Sequence, residues 1–241
     1  MKRTSLFIVA ALLMTAISLS SGAAEMPRHQ HYYWLWFRNI GDAWPELIDF
    51  ASDQNVDGVV IWGLDGWKED NSLCRDVVAY AHERGVKVIH GFGLNGYHEG
   101  AHIVRMNPKH RISISENWQA MDRGKDSLKS VFCPSEPTAL AELERMLLRA
   151  AATGIDGFNF ETGDVDYMTC HCAKCEKRFN SADEGPYDKK PIEWPLFHLK
   201  FAADTLLGAY PDLWLTCEYL MPRFGKAPYT DNERIIGTAI S

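Results

Sequence analysis

Two hydrophobic patterns alternate along the chain from residue 31 onward. Short runs rich in β-branched and aromatic residues are typical of strands, and longer segments with apolar residues every three or four positions are typical of helices. Such alternation predicts a parallel sheet whose strands are connected by helices. The predicted strands are 31–38, 56–62, 86–90, 155–161 and 213–218.

The predicted helices follow the same spacing argument. The first begins near Asp42 and Pro45, the second ends at Gly85, and the third ends at Gly154. The residues expected on the buried faces of the last three helices are Leu73, Val77, Val78 and Ala81; Leu140, Leu143, Leu147 and Ala150; and Leu196, Leu199, Ala203 and Leu206. Residues 94–134 form a long polar connection, which we expect to be a functional loop over one face.

The number of strand-helix units sets the fold class. Five strands over residues 31–218 correspond to about 45 residues per unit, so eight units would need about 350 residues. We therefore expect an α/β fold of the (β/α)8 TIM-barrel type in which only the first five or so units are present. Residues 25–241 would form this barrel domain, incomplete at its C-terminus. An open sheet of five or six strands is the alternative, but it would leave an apolar edge prone to aggregation.

The first 24 residues predict a signal peptide. Lys2 and Arg3 precede the apolar run 6–14, and small residues follow at 21–24. The apolar run is shorter than the roughly 20 residues that a spanning helix needs. We therefore expect export to the periplasm or secretion, with no membrane attachment after cleavage.

The charge of the chain argues against nucleic-acid partners. The formal net charge is −7, and Lys and Arg are not clustered. A phosphate backbone requires a basic surface, which this sequence does not predict.

Polar and aromatic residues follow the predicted strands at their carboxyl ends. In parallel strand-helix folds these ends converge on a cavity that carries the working groups. Aromatic rings stack on pyranose faces, and carboxylates bind or protonate sugar oxygens, so a carbohydrate is the expected substrate. The candidate substrate-binding residues are Trp36, Arg38, Trp62, Asp65, His90, Asn95, Asp164 and Tyr219.

Two glutamates are the candidate catalytic groups. Glu161 ends an otherwise apolar strand, where partial desolvation favours a general acid, and Glu218 ends the last predicted strand as a second carboxylate. Each could instead be a solvated or ion-paired acid. A lone strand-end histidine such as His90 is commonly a hydrogen-bonded polar residue, and Trp36 and Trp62 could be packing residues.

Four cysteines have spacings that favour a metal site. Cys170, Cys172 and Cys175 form a CxCxxC sequence, and Cys133 lies 37 residues upstream. Four thiolates match a closed tetrahedral zinc site, whereas disulfides are the alternative for an exported protein. Cys74 and Cys217 lie in a helical and a strand pattern, so we expect buried thiols there.

The segment 130–180 resembles the β-galactosidases of glycoside hydrolase family 42 and their barrel relatives. The resemblance rests on the sequence FCPSEP at 132–137, a strand ending in Glu161, and the sequence CHCAKC at 170–175 followed by Arg178 and Phe179. It implies a structural zinc bound by Cys133, Cys170, Cys172 and Cys175 and an acid/base role for Glu161. We expect no organic cofactor.

Two functions are consistent with these features. The first is a glycosidase in which Glu161 donates the proton and Glu218, or a carboxylate from further strands, acts as nucleophile or base. The second is a non-catalytic carbohydrate-binding or scaffold barrel that keeps the aromatic rim but lacks paired acids.

Overall fold

The computed structural model describes residues 32–94, 97–111, 131–161, 170, 172–179 and 193–218. The chain divides into two units, Met1–His31 and Tyr32–Ser241. The first unit lies wholly outside the described residues, and so does the predicted signal peptide. No helix among the described residues is both long enough and apolar enough to span a bilayer.

Five parallel strands form one sheet in the order in which they occur along the chain. Each of the five predicted strands is present, with shorter bounds at most ends. The strands are β1 (Tyr32–Trp36), β2 (Gly58–Trp62), β3 (Lys87–Gly93), β4 (Gly157–Glu161) and β5 (Trp214–Glu218). Sequential parallel order with a helix between successive strands is the arrangement of a partial (β/α) barrel, which confirms the predicted fold class.

Seven α-helices occur among the described residues. They are α1 (Phe37–Ile40), α2 (Trp44–Asp53), α3 (Ser72–Glu83), α4 (Tyr97–Met106), α5 (Pro137–Ala151), α6 (Ala173–Phe179) and α7 (Glu193–Ala209). Helix α3 ends as predicted before Gly85, whose φ of 72° is the left-handed conformation that glycine adopts without strain. Helix α5 begins with Pro137 at a position where a missing N–H costs nothing.

An aromatic contact between the first and last strands shows that the sheet is curled. The rings of Tyr32 in β1 and Trp214 in β5 stack with their centroids 4.6 Å apart. In a flat five-stranded sheet these two strands would be about 19 Å apart, too far for the rings to meet. The inner, concave side of the sheet therefore carries Tyr32 and Trp214, and the helices cover the outer side.

The main hydrophobic core lies between the outer side of the sheet and the helices. It contains Val59 and Ile61 from β2, Phe158 from β4, and apolar residues of the helices. The prediction of Leu73 as a core residue of α3 is wrong, because its side chain is 42% exposed. Cys74, the next residue, is fully buried instead.

Two predictions about the segment after β3 are also wrong. The connection 94–134 is not one long loop, because residues 97–106 form α4 and residues 108–110 form a 3-10 turn. The third strand does not end at His90 but continues through Gly91, Phe92 and Gly93. His90 therefore lies inside a strand and not at its carboxyl end.

Candidate functional site

The carboxyl ends of β4 and β5 bring two glutamates to paired positions. Glu161 is in register with Glu218 on β5 and with Gly93 on β3. Neighbouring parallel strands lie about 4.8 Å apart, so the two glutamates are adjacent along this edge. The side chain of Glu161 is partly exposed, and its backbone oxygen accepts a hydrogen bond of 3.1 Å from Leu94 N.

A polar pair lies one layer below the glutamates on the same face of the sheet. Positions two apart on a strand share a face, so Asn159 lies below Glu161 and Thr216 below position 218. Asn159 Nδ2 donates to Thr216 Oγ1 at 2.9 Å, and Thr216 Oγ1 donates to Phe158 O at 3.4 Å. The Oδ1 atom of Asn159 is buried and has no hydrogen-bond partner among the described residues.

Trp62, a candidate binding residue, packs on the inner face at the end of β2. Its side chain is 1% exposed, and it clusters with Val60, Ile89 and Tyr32. The Trp62 ring lies directly over Gly91, where an added Cβ would be 2.3 Å from a ring carbon. Glycine at 91 therefore makes room for this ring, which packs against the inner face of the sheet.

Asp65 lies in the loop after β2. It has a φ of 55°, which is uncommon for a residue other than glycine, and its carboxylate is ion-paired with Lys68. Strand β1 ends at Trp36, and Arg38 lies in α1. The prediction that Arg38 belongs to the first strand is therefore wrong. The predictions for Asn95, Asp164 and Tyr219 fall outside the described residues.

His90 is buried on the outer side of the sheet. Its side chain has no exposed surface, its Nε2 accepts a 3.3 Å hydrogen bond from Gly66 N, and its Nδ1 lies 2.8 Å from Gly91 O. Burial lowers the pKa of His90 to about 4, so the ring is neutral at pH 7. His90 is therefore a hydrogen-bonded core histidine that is shielded from solvent.

Glu99 is a buried acid that the sequence did not single out. It belongs to α4, is 1% exposed, and its Oε2 accepts a 3.0 Å hydrogen bond from Gly93 N at the end of β3. Burial raises the pKa of Glu99 to about 7. The residues around it in the sequence are mostly polar, so no hydrophobic pattern predicts that Glu99 is buried.

The four cysteines of the predicted metal site come together. Their sulfur atoms all lie within 4.8 Å of one another, and three of the four side chains are buried. Cys133 Sγ is 3.5 Å from the Sγ atoms of Cys170 and Cys175 and 3.8 Å from that of Cys172. Cys133 precedes α5 and the other three follow β4, so the cluster joins the two ends of one helix-strand unit.

The cluster fits a tetrahedral metal ion. A Zn–S bond of about 2.3 Å in a tetrahedron separates the sulfurs by about 3.8 Å, close to the three distances above. Hydrogen bonding with Cys170 and Cys175, together with burial, raises the pKa of Cys133 above its ordinary value. Buried thiols in such close contact resist ionisation unless a cation compensates their charge.

Comparisons with known proteins support the fold. No protein-family profile matches the chain, and no curated protein matches its sequence. Among solved structures, an Anoxybacillus α-amylase aligns with a TM-score of 0.55 and 12% identity over 88% of this chain and 50% of that one. The galactosidase domain of the α-galactosidase–sucrose kinase AgaSK aligns with a TM-score of 0.53 and 15% identity over 80% of this chain.

A third structure is similar to the same extent. The cyclomaltodextrin glucanotransferase CldA aligns with a TM-score of 0.53 and 14% identity over 88% of this chain. The chain spans 27% of the AgaSK structure and 54% of the CldA structure. At these identities the likeness concerns the fold alone, the (β/α) barrel.

Proposed function

We propose that this chain carries part of the active site of a glycosidase, with Glu161 as the general acid/base. The observation that supports it is the register of β4 with β5, in which Glu161 and Glu218 occupy paired positions at the carboxyl edge of a barrel sheet. Glycoside hydrolysis requires two carboxyl groups flanking the scissile bond. Barrel enzymes hold such groups at this edge of the sheet.

In the proposed reaction the two glutamates have different roles. Glu161 donates a proton to the leaving-group oxygen, and Glu218 acts as nucleophile or base at the anomeric carbon. The resemblance of residues 130–180 to family 42 β-galactosidases supports the role given to Glu161 and suggests a galactoside as the first substrate to test.

Aryl glycosides test this proposal directly. The purified chain should release nitrophenol from at least one member of a panel of aryl galactosides and glucosides. On the phenyl members of the panel, whose leaving group needs a proton, Glu161→Gln and Glu218→Gln should each reduce kcat/KM by about 100-fold or more, because each removes a carboxyl group and keeps its size. Glu144→Gln, an exposed acid on α5, is the matched control and should leave kcat/KM unchanged.

The outcome also separates catalysis from binding. If a folded chain binds saccharides, turns over none of them, and keeps the same affinity after Glu161→Gln, the protein is a non-catalytic carbohydrate-binding barrel and the proposal is wrong.

We also propose that Cys133, Cys170, Cys172 and Cys175 bind a structural zinc ion. Four sulfur donors with no open position leave no site for a substrate or water, so the ion would stabilise the fold and take no part in the reaction. It would fix the segment before α5 to the segment after β4, the strand that ends in Glu161.

Metal content and stability test this second proposal together. Elemental analysis should give one zinc per chain, and Cys170→Ser should lose the metal and unfold at a lower temperature. Cys74→Ser changes a buried thiol outside the cluster, so it should keep the zinc whatever it costs in stability. Full zinc content in Cys170→Ser, or thiol counts showing disulfides in the native protein, would contradict the proposal.

A further inference from the structure

A cavity on the helix-covered side of the sheet has no role in the function proposed above. It has a volume of about 600 Å³ and lies between the loop 65–70 after β2 and the helices α4 and α5. This volume is in the range of pockets that bind small ligands. Its lining side chains come from three separate elements of the fold.

Cationic side chains dominate two walls of this cavity. Arg145 and Arg149 project from α5 one turn apart, and Arg105 comes from α4 opposite them. Like charges four residues apart on a helix repel each other. The positive charge of three guanidinium groups around one cavity therefore needs nearby anionic groups to balance it.

Two of these guanidinium groups form no ion pair with any residue that the structure describes. Arg145 is held by Glu142, and Lys68, on the loop, is held by Asp65. Neither Arg105 nor Arg149 has a carboxylate within 4 Å among the described residues. The Nη1 atom of Arg149 is also shielded from solvent, and it has no hydrogen-bond acceptor in the described part of the chain.

The acidic residues of the lining do not fully compensate these groups. Asp65 is paired with Lys68, and Asp70 accepts hydrogen bonds from the backbone and hydroxyl of Ser72. Glu69 is the one remaining carboxylate of the lining. A buried guanidinium donor without an acceptor costs free energy, which an anion in the cavity would recover.

We propose that this cavity binds an oxyanionic group, either a carboxylate or a sulfate or phosphate. Guanidinium groups bind such groups through paired N–H donors, and Arg105 and Arg149 supply them from facing helices. The ring of Trp67 also lines the cavity, with the His102 ring 4.5 Å away. Two guanidinium groups on facing helices suit the carboxylates of an acidic saccharide, and a free inorganic anion has the same charged chemistry.

Calorimetric titration of the full chain at constant ionic strength tests the proposal. The probes are sodium sulfate, sodium phosphate, trigalacturonate and the neutral sugar galactose. We expect binding of at least one of the three anions and none of galactose. Arg149→Gln and Arg105→Gln should each weaken this binding about tenfold or more. Lys200→Gln removes an exposed cation on α7 and should leave it unchanged.

The pattern of binding identifies the source of the oxyanion. Tighter binding of trigalacturonate than of sulfate or phosphate indicates an acidic saccharide, and the reverse indicates a free anion. Arg105 is exposed, so its substitution should preserve folding even if Arg149→Gln does not. No binding of any anion, or equal binding by Arg105→Gln and Lys200→Gln, would overturn the proposal. The test does not depend on hydrolysis, so it can succeed or fail separately from the glycosidase proposal.

Discussion

The two sides of the curled sheet differ in how their residues are buried. On the outer side, strands and helices share one continuous core with many fully buried side chains. On the inner side, a small cluster of Val60, Trp62, Ile89 and Tyr32 lies beside the polar pair Asn159 and Thr216. The outer side therefore supplies the stability of this part of the chain, and the inner side holds polar groups below the paired glutamates.

The largest expected effect on stability comes from the outer core. Phe158 is fully buried and contacts the rings of Phe92 and Phe160. Phe158→Ala should lower the free energy of unfolding by about 3–5 kcal/mol, measured by urea denaturation. Phe50→Ala is the matched control, because Phe50 is 51% exposed, and it should cost less than about 1 kcal/mol. Similar losses in both variants would contradict the assignment of the core.

The second prediction concerns the buried acid Glu99. Its pKa of about 7 lies above the ordinary value of 4.5, so it favours folding fully below pH 4.5 and loses this contribution as the pH rises through 7. His90 has the opposite dependence, because its pKa is lowered to about 4: its contribution is present above pH 6.5 and is lost toward pH 4.

Glu99→Gln should remove the contribution of Glu99 to the pH dependence of stability and leave that of His90. Between pH 4.5 and pH 7.5, the free energy of unfolding of the variant should rise relative to that of the wild type by about 3 kcal/mol. Urea titrations across this pH range measure the difference, and Glu144→Gln, at an exposed site, should show none. A difference that does not depend on pH would mean that Glu99 is ionised in the folded protein.

The third prediction tests the packing of the inner face. Gly91→Ala would place a methyl group in the space of the Trp62 ring, which should cost about 1–3 kcal/mol of folding free energy. Replacing Trp62 by Leu in the same chain should recover part of this loss, because it removes the ring. Additive losses in the double variant would show that the two residues do not contact each other.

The smallest predicted effect compares two neighbours on one strand. Val59 faces the outer core and is fully buried, whereas Val60 faces the inner cluster and is 7% exposed. Val59→Ala should cost about 2 kcal/mol and Val60→Ala about 1 kcal/mol, because the outer core is packed on more sides. If both variants lose the same free energy of unfolding in thermal or urea denaturation, the outer core is not packed more tightly than the inner cluster.

The sequence predicted the strands and the cysteine cluster from local signals. The strand at 157–161 is a short apolar run after a turn, and the spacing of Cys170, Cys172 and Cys175 is a direct signature of a shared site. The end of β3 was missed because glycines at 91 and 93 look like a turn. They are tolerated in the strand, and glycine at 91 leaves room for the ring of Trp62, a long-range contact that no local pattern records.

The sequence also could not predict which single polar residues are buried. Glu99 lies in a polar segment, and only the fold brings its carboxylate to Gly93 N. The pairing of Glu161 with Glu218 depends on the register of two strands separated by more than 50 residues. The sequence predicted both glutamates as acids at the ends of consecutive barrel strands, but the register that pairs them comes from the structure.

The central claim, that Glu161 donates the proton to the leaving group, predicts a dependence on leaving-group acidity. In kcat/KM measurements, Glu161→Gln should lose little activity on a dinitrophenyl glycoside, whose leaving group needs no proton. It should lose about 100-fold or more on the corresponding methyl or phenyl glycoside. Equal losses on both classes of substrate, or no loss on either, would contradict the account.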